Sequence, residues 1–229
     1  MATIILIETS TALCSAALAQ DGKIVAYRED AGRRHAGMLA PMIQEILEEK
    51  GLTVKDCEAV GVSMGPGSYT GLRVGVSTAK GLCFGAGIPL LATGSLDTLA
   101  WAAIDGAMVP EGCRYIVPMI DARRMEVYTA LFSPEGKQLS ETEPKIIDAD
   151  SFSKELSEGP VLFIGDGASK CAGVITSPNA HFVDICPNAK GMLSPIQTEY
   201  NEKQFKDIAY FEPFYLKDFV ATVSKKKLF

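Results

Sequence analysis

The chain repeats itself, and the repeat restricts its fold more than any other feature. Ile4 opens the segment IILIETSTALCSAALAQDGKIV, and Ile116 opens IVPMIDARRMEVYTALFSPEGKQL. Aligned, Glu8 falls on Asp121, Leu18 on Leu131, and Gly22-Lys23 on Gly136-Lys137 after a one-residue insertion. Each copy reads as a strand ending at an acid, a short turn, and a second strand leading into a Gly-Lys hairpin. Later, FIGDGAS (Phe163 to Ser169) echoes VSMGPGS (Val62 to Ser68), with a strand before a G-x-G turn. Self-similarity on this scale means two related halves. We place an N-terminal unit over 1–109 and a C-terminal unit over 110–229 with an irregular tail.

Local patterns fill in the elements. Thr3 to Ile7 is an apolar, β-branched run of the kind found in buried strands. Leu13 to Gln20 and Lys23 to Arg28 flank Asp21-Gly22, a hairpin signal, because glycine tolerates positive φ. Leu39, Ile43, Ile46 and Leu47 then share one face of a helix over about 34–50, which Gly51 ends. Ala59 to Ser63 is a strand, 71–85 a helix and Ile88 to Ala92 a strand. Ser95 is placed to cap a helix through about Ile104. The second half is eroded, with only a short helical candidate from Ser151 to Ser157. Hairpins followed by alternating helix and strand imply an α/β fold with mixed sheets flanked by helices. Pro178, Pro187 and Pro195 break up the remainder of the chain. The aromatic FEPFYLK (Phe211 to Lys217) is expected to pack back on the body. The basic SKKKLF is expected to be a mobile tail.

The loop Gly65-Pro66-Gly67-Ser68-Tyr69-Thr70-Gly71 invites two readings, and both stay open here. Its glycines suit either a phosphate approached by backbone amides at a helix N-terminus or a tight turn packing strand on helix. The spacing G-x-G-x-x-x-G is not the dinucleotide fingerprint. No Walker lysine follows, since Lys80 lies two to three helical turns further on. Glu8 and Asp121 end the two equivalent strands, and carboxylates at such strand ends can hold the water shell of Mg²⁺ in a duplicated nucleotide-binding fold. Turn-capping explains each acid singly, and Glu8-Thr9-Ser10 can make such bonds unaided. The candidate nucleotide-cleft residues are therefore Glu8, Thr9, Gly65, Gly67, Ser68 and Asp121.

The helix after this loop carries Gly71, Gly75, Ser77, Thr78, Ala79, Gly81 and Gly85, and each interior glycine costs about 1 kcal/mol relative to alanine. Packing must hold it. One face has Leu72, Val76, Ala79 and Cys83, the other Val74, Thr78 and Leu82. With Met38, Met42 and Glu45 of the first helix, the second face reads either as a partner surface or as a deeper core. The candidate interface is Met38, Met42, Glu45, Val74, Thr78 and Leu82.

Composition excludes several classes. A net charge of −6 gives no global pull toward nucleic acid or anionic membrane. His35 and His181, the only histidines, lack metal-ligand spacing, and neither has an obvious serine or cysteine partner. His35 reads as a surface or capping residue. Arg33-Arg34 and Lys225-Lys226-Lys227 read as solvated charge. Six scattered cysteines with no C-x-x-C pair point to a reduced, cytosolic protein. The first residues do not form a secretion signal, and no uncharged stretch is long enough to span a bilayer.

IETSTALCSAAL, HAGMLAPMIQEIL and GPGSYTGLRVGVSTAKGLCFGAGIPLLATGSLDTLA resemble the bacterial TsaB (YeaZ) proteins, which take part in making threonylcarbamoyladenosine in tRNA. The match is strong over the first hundred residues and weaker after them, chiefly through IDARRMEVYTALF. The resemblance implies a duplicated actin-like ATPase (ASKHA, ribonuclease H-like) fold and a relationship to TsaD, the catalytic paralogue. TsaD carries a metal-binding H-x-x-x-H after this same helix and strand. Ser95 and Leu99 stand in those two places here, and Ala12 and Leu13 stand where TsaD has an acidic pair. Leucine cannot ligate a metal, and a serine hydroxyl is a poor substitute for imidazole.

The resemblance thus implies a non-catalytic partner. It would pair with TsaD through its first two helices, join TsaE, an ATPase, in a larger assembly, and meet tRNA only through that assembly. Alone, the same surface would form a homodimer. No intrinsic cofactor is implied, with room for ATP or ADP with Mg²⁺ at an interface of the assembly. The competing reading is a nucleotide-binding or -hydrolysing ASKHA protein acting on its own. A glycoprotease-like peptidase is weaker, for want of any protease constellation.

Overall fold

A computed structural model describes residues 2–32 and 34–217. Two five-stranded sheets carry the repeat. The first has the order β3-β2-β1-β4-β5, built from β1 (Thr3–Glu8), β2 (Cys14–Gln20), β3 (Lys23–Asp30), β4 (Ala59–Ser63) and β5 (Leu90–Thr93). The second has the order β8-β7-β6-β9-β10, built from β6 (Tyr115–Asp121), β7 (Glu126–Thr129), β8 (Glu143–Ile146), β9 (Val161–Ile164) and β10 (Ala180–Val183). In both, the first strand pairs antiparallel with the next and parallel with the fourth. Glu8 and Asp121 close the two equivalent central strands.

The helices show how unequal the halves have become. The first half has α1 (His35–Glu49) of 15 residues and α2 (Tyr69–Ala86) of 18. Their counterparts, α4 (Ser153–Glu158) and α5 (Ala168–Cys171), have 6 and 4. Alternate residues of β1 explain why both faces of the first sheet are covered. Ile5 and Ile7 face the core under α1 and α2, while Ile4 and Leu6 face the opposite core. Helix α3 (Ser95–Asp105) lies between the sheets, with Leu96 and Leu99 packed against Ile116 and Ile164 of the second. Gly94 is its N-cap, and Ser95, expected to cap, instead bonds Ser63 Oγ through its own hydroxyl at 2.8 Å.

After β10 the chain crosses back onto the first half. The 3₁₀ turn Ala189–Met192 and α6 (Leu193–Asn201) cover the Ile4 face, and Ile196 presses on Gly61, where a Cβ would lie 2.9 Å from Ile196 Cδ1. Pro195 sits in the first turn of α6, where its missing N–H costs nothing. The chain then runs over α2. Lys206 N donates to Leu90 O at 2.8 Å, and Lys80 Nζ to the carbonyls of Ala209 and Phe211 at 3.2 and 3.1 Å. Phe211 packs on the first core, and Phe214 N donates to Met64 O at 2.7 Å. FEPFYLK therefore packs on the body as its composition implied. SKKKLF lies outside the described residues.

Candidate functional site: the inter-lobe cleft and the helical face beside it

The turn after β1 is the floor of the site. Glu8 is 0% exposed, and its Oε1 accepts from Ser10 N at 2.6 Å. Its Oε2 has no partner among the described residues, nor have the hydroxyls of Thr9, Ser10 and Thr11. Burial raises the carboxyl above its ordinary range, against smaller opposing hydrogen bonds.

The glycine loop lies directly on this turn. A Cβ at Gly67 would overlap the carbonyl of Ser10, one at Gly71 the carbonyl of Thr9, and one at Gly75 the Thr9 hydroxyl. Ser68 N donates to Ser10 O at 2.6 Å, and Ser68 Oγ caps Gly71 N at 3.3 Å. Gly65, at φ +109°, has its carbonyl taken by Ser95 N at 2.9 Å. Of the two readings of this loop, the geometry supports close packing. The 67/71/75 row is small because a turn presses on it, not to admit a helix.

Above the turn, a cleft of about 630 Å³ opens between the halves. Gly67, Ser68 and Asp121 line it, whereas Glu8, Thr9 and Gly65 do not; the last three are buried beneath. Asp121 is paired with Lys170 and accepts from Arg123 N at 3.0 Å. Asp166, raised by burial, accepts from Asp121 N at 3.0 Å. This donor set does not fit hydrated Mg²⁺, because one carboxylate is sealed in and the other already carries an ammonium. Among the described residues no group of three or more His, Cys, Asp or Glu is placed to hold a metal. His35 opens α1 and lines the cleft, with Nε2 3.0 Å from Thr11 O.

Sequence reasoning missed the remaining wall. Tyr69 packs against Tyr215 with tilted rings 4.7 Å apart, and Arg73 lies 4.3 Å over the Tyr69 ring. Lys217 reaches across to Glu126, tying the returning segment to the second half. Arg123 and Arg124 sit at φ +72° and +53° in the β6–β7 loop, a backbone region that favours glycine. That paired arginine in a hairpin loop was the available signal.

A second concavity, of about 360 Å³, lies between α1 and α2. Ile43, Leu47, Leu52, Val54, Thr78 and Leu82 line it. Phe84, on α2, is 84% exposed. Thr78 and Leu82 are thus on an open apolar face. Val74 and Met38 are half-buried against the first core, and Glu45 is exposed and paired with Arg28. Met42 is corrected: at 3% exposure it belongs to the core. Its place in the series 39, 42, 43, 46 already put it on the inward face. Arg34 pairs with Asp30 at 2.6 Å; Arg33 and Lys225–Lys227 lie outside the described residues.

The geometry is that of known proteins. A family model described as "TsaD: tRNA N6-adenosine threonylcarbamoyltransferase" matches residues 24–225. The "tRNA threonylcarbamoyladenosine biosynthesis protein TsaB" of Haemophilus influenzae is 32% identical, over 99% of this chain and 97% of its own. The Escherichia coli protein of the same name is also 32% identical, over 95% and 96%. The chain belongs to the TsaB (YeaZ) family. YeaZ from Pseudomonas aeruginosa superposes with a TM-score of 0.76 at 25% identity, over 94% of this chain and 100% of that one. An activator of 2-hydroxyisocaproyl-CoA dehydratase from Clostridium difficile, with ADPNP bound, shares the fold at a TM-score of 0.50 and 11% identity, over 90% of this chain and 98% of its own. The fold is the duplicated actin-like ATPase (ASKHA) fold, with the second half reduced. This TsaB-family member serves tRNA threonylcarbamoyladenosine biosynthesis. Among its described residues no helix is long and apolar enough to cross a membrane.

Proposed function

We propose that this chain is a non-catalytic scaffold and activator of a cytoplasmic threonylcarbamoyladenosine-forming complex. It docks a TsaD-type transferase on the α1/α2 face, and a TsaE-type ATPase joins the pair. Without TsaD the same face serves an isologous homodimer. The observation that carries this reading is the open apolar groove between α1 and α2, with Thr78 and Leu82 in its wall and Phe84 exposed beside it. A soluble chain leaves such a face uncovered when a partner covers it.

The missing catalytic groups support the same reading. Ser95 and Leu99, at the positions matching the metal-binding histidines of TsaD, are both fully buried, and Ser95 is held by Ser63. ATP or ADP with Mg²⁺ belongs, on this reading, at an interface of the assembly. The alternative, a nucleotide-hydrolysing enzyme acting alone, has against it a sealed Glu8 and an Asp121 already paired with Lys170.

Co-purification with the cognate TsaD tests the docking face. Thr78→Arg puts a charge without a partner into the groove and should weaken association by at least about tenfold, with an unchanged melting temperature. Undiminished capture of TsaD by this variant would assign the docking to another face.

A further inference from the structure

The cleft rim carries a charge opposite to that of the chain. The protein bears −6 overall, yet Arg123 lines the cleft, Arg124 follows it in the same exposed loop, and exposed Arg73 lies over Tyr69 of the cleft wall, none with an ion-pair partner among the described residues. The acids nearby are largely answered. Asp121 is paired with Lys170 and Glu126 with Lys217, while Asp166 is half-buried and its carboxyl is raised by desolvation. Glu212, on the returning segment, and Asp184, beside Asp166, are the exposed acids that remain.

Arg73 and the backbone of the arginine loop are held in place. Arg73 lies on the Tyr69 ring, and Tyr69 is braced by Tyr215. The returning segment that supplies Tyr215 is pinned at Met64 by Phe214 N and at Glu126 by Lys217. Two consecutive arginines stand in left-handed backbone, a cost that glycine or asparagine would avoid. Arg123 N is fixed on Asp121 Oδ1, so the loop holds one geometry. Tyr128 and Tyr215 line the same cleft. Exposed guanidinium groups beside tyrosine rings form the chemistry that tracks a nucleic-acid backbone.

We infer that this rim binds RNA directly, with Arg123 and Arg124 as phosphate contacts, Arg73 as a third, and tRNA as the RNA. The inference rests on the scaffold reading for the identity of the RNA. A polyanion lying along the rim fits better than a compact phosphate in the loop. Ser68 N is already spent on Ser10, and Gly67 is closed by the Ser10 carbonyl.

The test uses fluorescence anisotropy of labelled substrate tRNA with the full chain, alone and with its TsaD, across a salt series. Arg123→Glu/Arg124→Glu should raise Kd at least about tenfold and flatten the slope of log K against log salt by about 1–2. Arg123→Lys/Arg124→Lys should stay within about threefold, because lysine also meets phosphate. Millimolar AMP should not displace the tRNA. Unchanged affinity and slope in the glutamate pair would overturn the inference. So would equal loss in the lysine pair, displacement by AMP, or failure of the glutamate pair to capture TsaD, which would place these arginines in the protein interface. Full tRNA modification without this chain would sink the scaffold reading and leave the measured RNA affinity standing. Unchanged affinity would sink this inference and leave the scaffold reading intact.

Discussion

The carbonyl oxygen of Thr9 occupies the space in which a side chain at Gly71 would have to lie. Helix α2 can reach the β1 turn only because that position, with Gly67 and Gly75, has no Cβ. The obstacle at Gly71 is backbone, which cannot swing aside as a flexible side chain would. Gly71→Ala should therefore destabilise the fold by about 2–3 kcal/mol, read as a lower urea midpoint. An unchanged midpoint would mean that the turn and helix are less tightly joined than the geometry implies.

Glu8 behaves as a structural acid on this account. Its folded pKa is raised, so folded Glu8 holds its proton over a pH range where the unfolded chain has lost it. Its burial therefore costs stability as pH rises through that range, and the cost vanishes below the ordinary carboxylate value. Glu8→Gln keeps an acceptor for Ser10 N. The variant should equal or exceed the parent in stability at pH 7–8, converge with it near pH 4, and support tRNA modification at the parental rate. Loss of modification with an intact fold would return Glu8 to the active machinery.

Asp97 obeys the same sign in a different setting. It stands in the first turn of α3, and burial, with Glu199 adding to it, raises its carboxyl to about 6. Its charge therefore disfavours the fold above about pH 6, and the effect disappears below the unfolded value near 4. Asp97→Asn should add about 1–3 kcal/mol at pH 7.5 and little at pH 4, measured by thermal unfolding across pH. An equal effect at both pH values would trace the change to packing.

The duplicated sheets were legible because strands write their period locally. The match of Glu8 with Asp121 and of Leu18 with Leu131 anticipated two sheets of one topology. The return of the chain onto the first half was not legible. Ile196 docks on Gly61 through a contact between residues far apart in sequence, and the prolines around it read only as interruptions of any long element. The glycine row had the same difficulty. Small residues announce a close approach without naming what approaches, and here it is Thr9 and Ser10. Thr78 and Leu82 lie on an open face, where their spacing left a partner surface and a deeper core both open, whereas Met42 turned inward with Leu39 and Ile46. Tyr69 and Tyr215 meet only in three dimensions.

The scaffold role is tested most directly by reconstitution of tRNA modification with purified TsaD, TsaE and the adenylate-forming enzyme, with and without this chain. The account predicts that threonylcarbamoyladenosine accumulates only when this chain is present, and that Thr78→Arg abolishes most of the gain. Modification at full rate in its absence would contradict it.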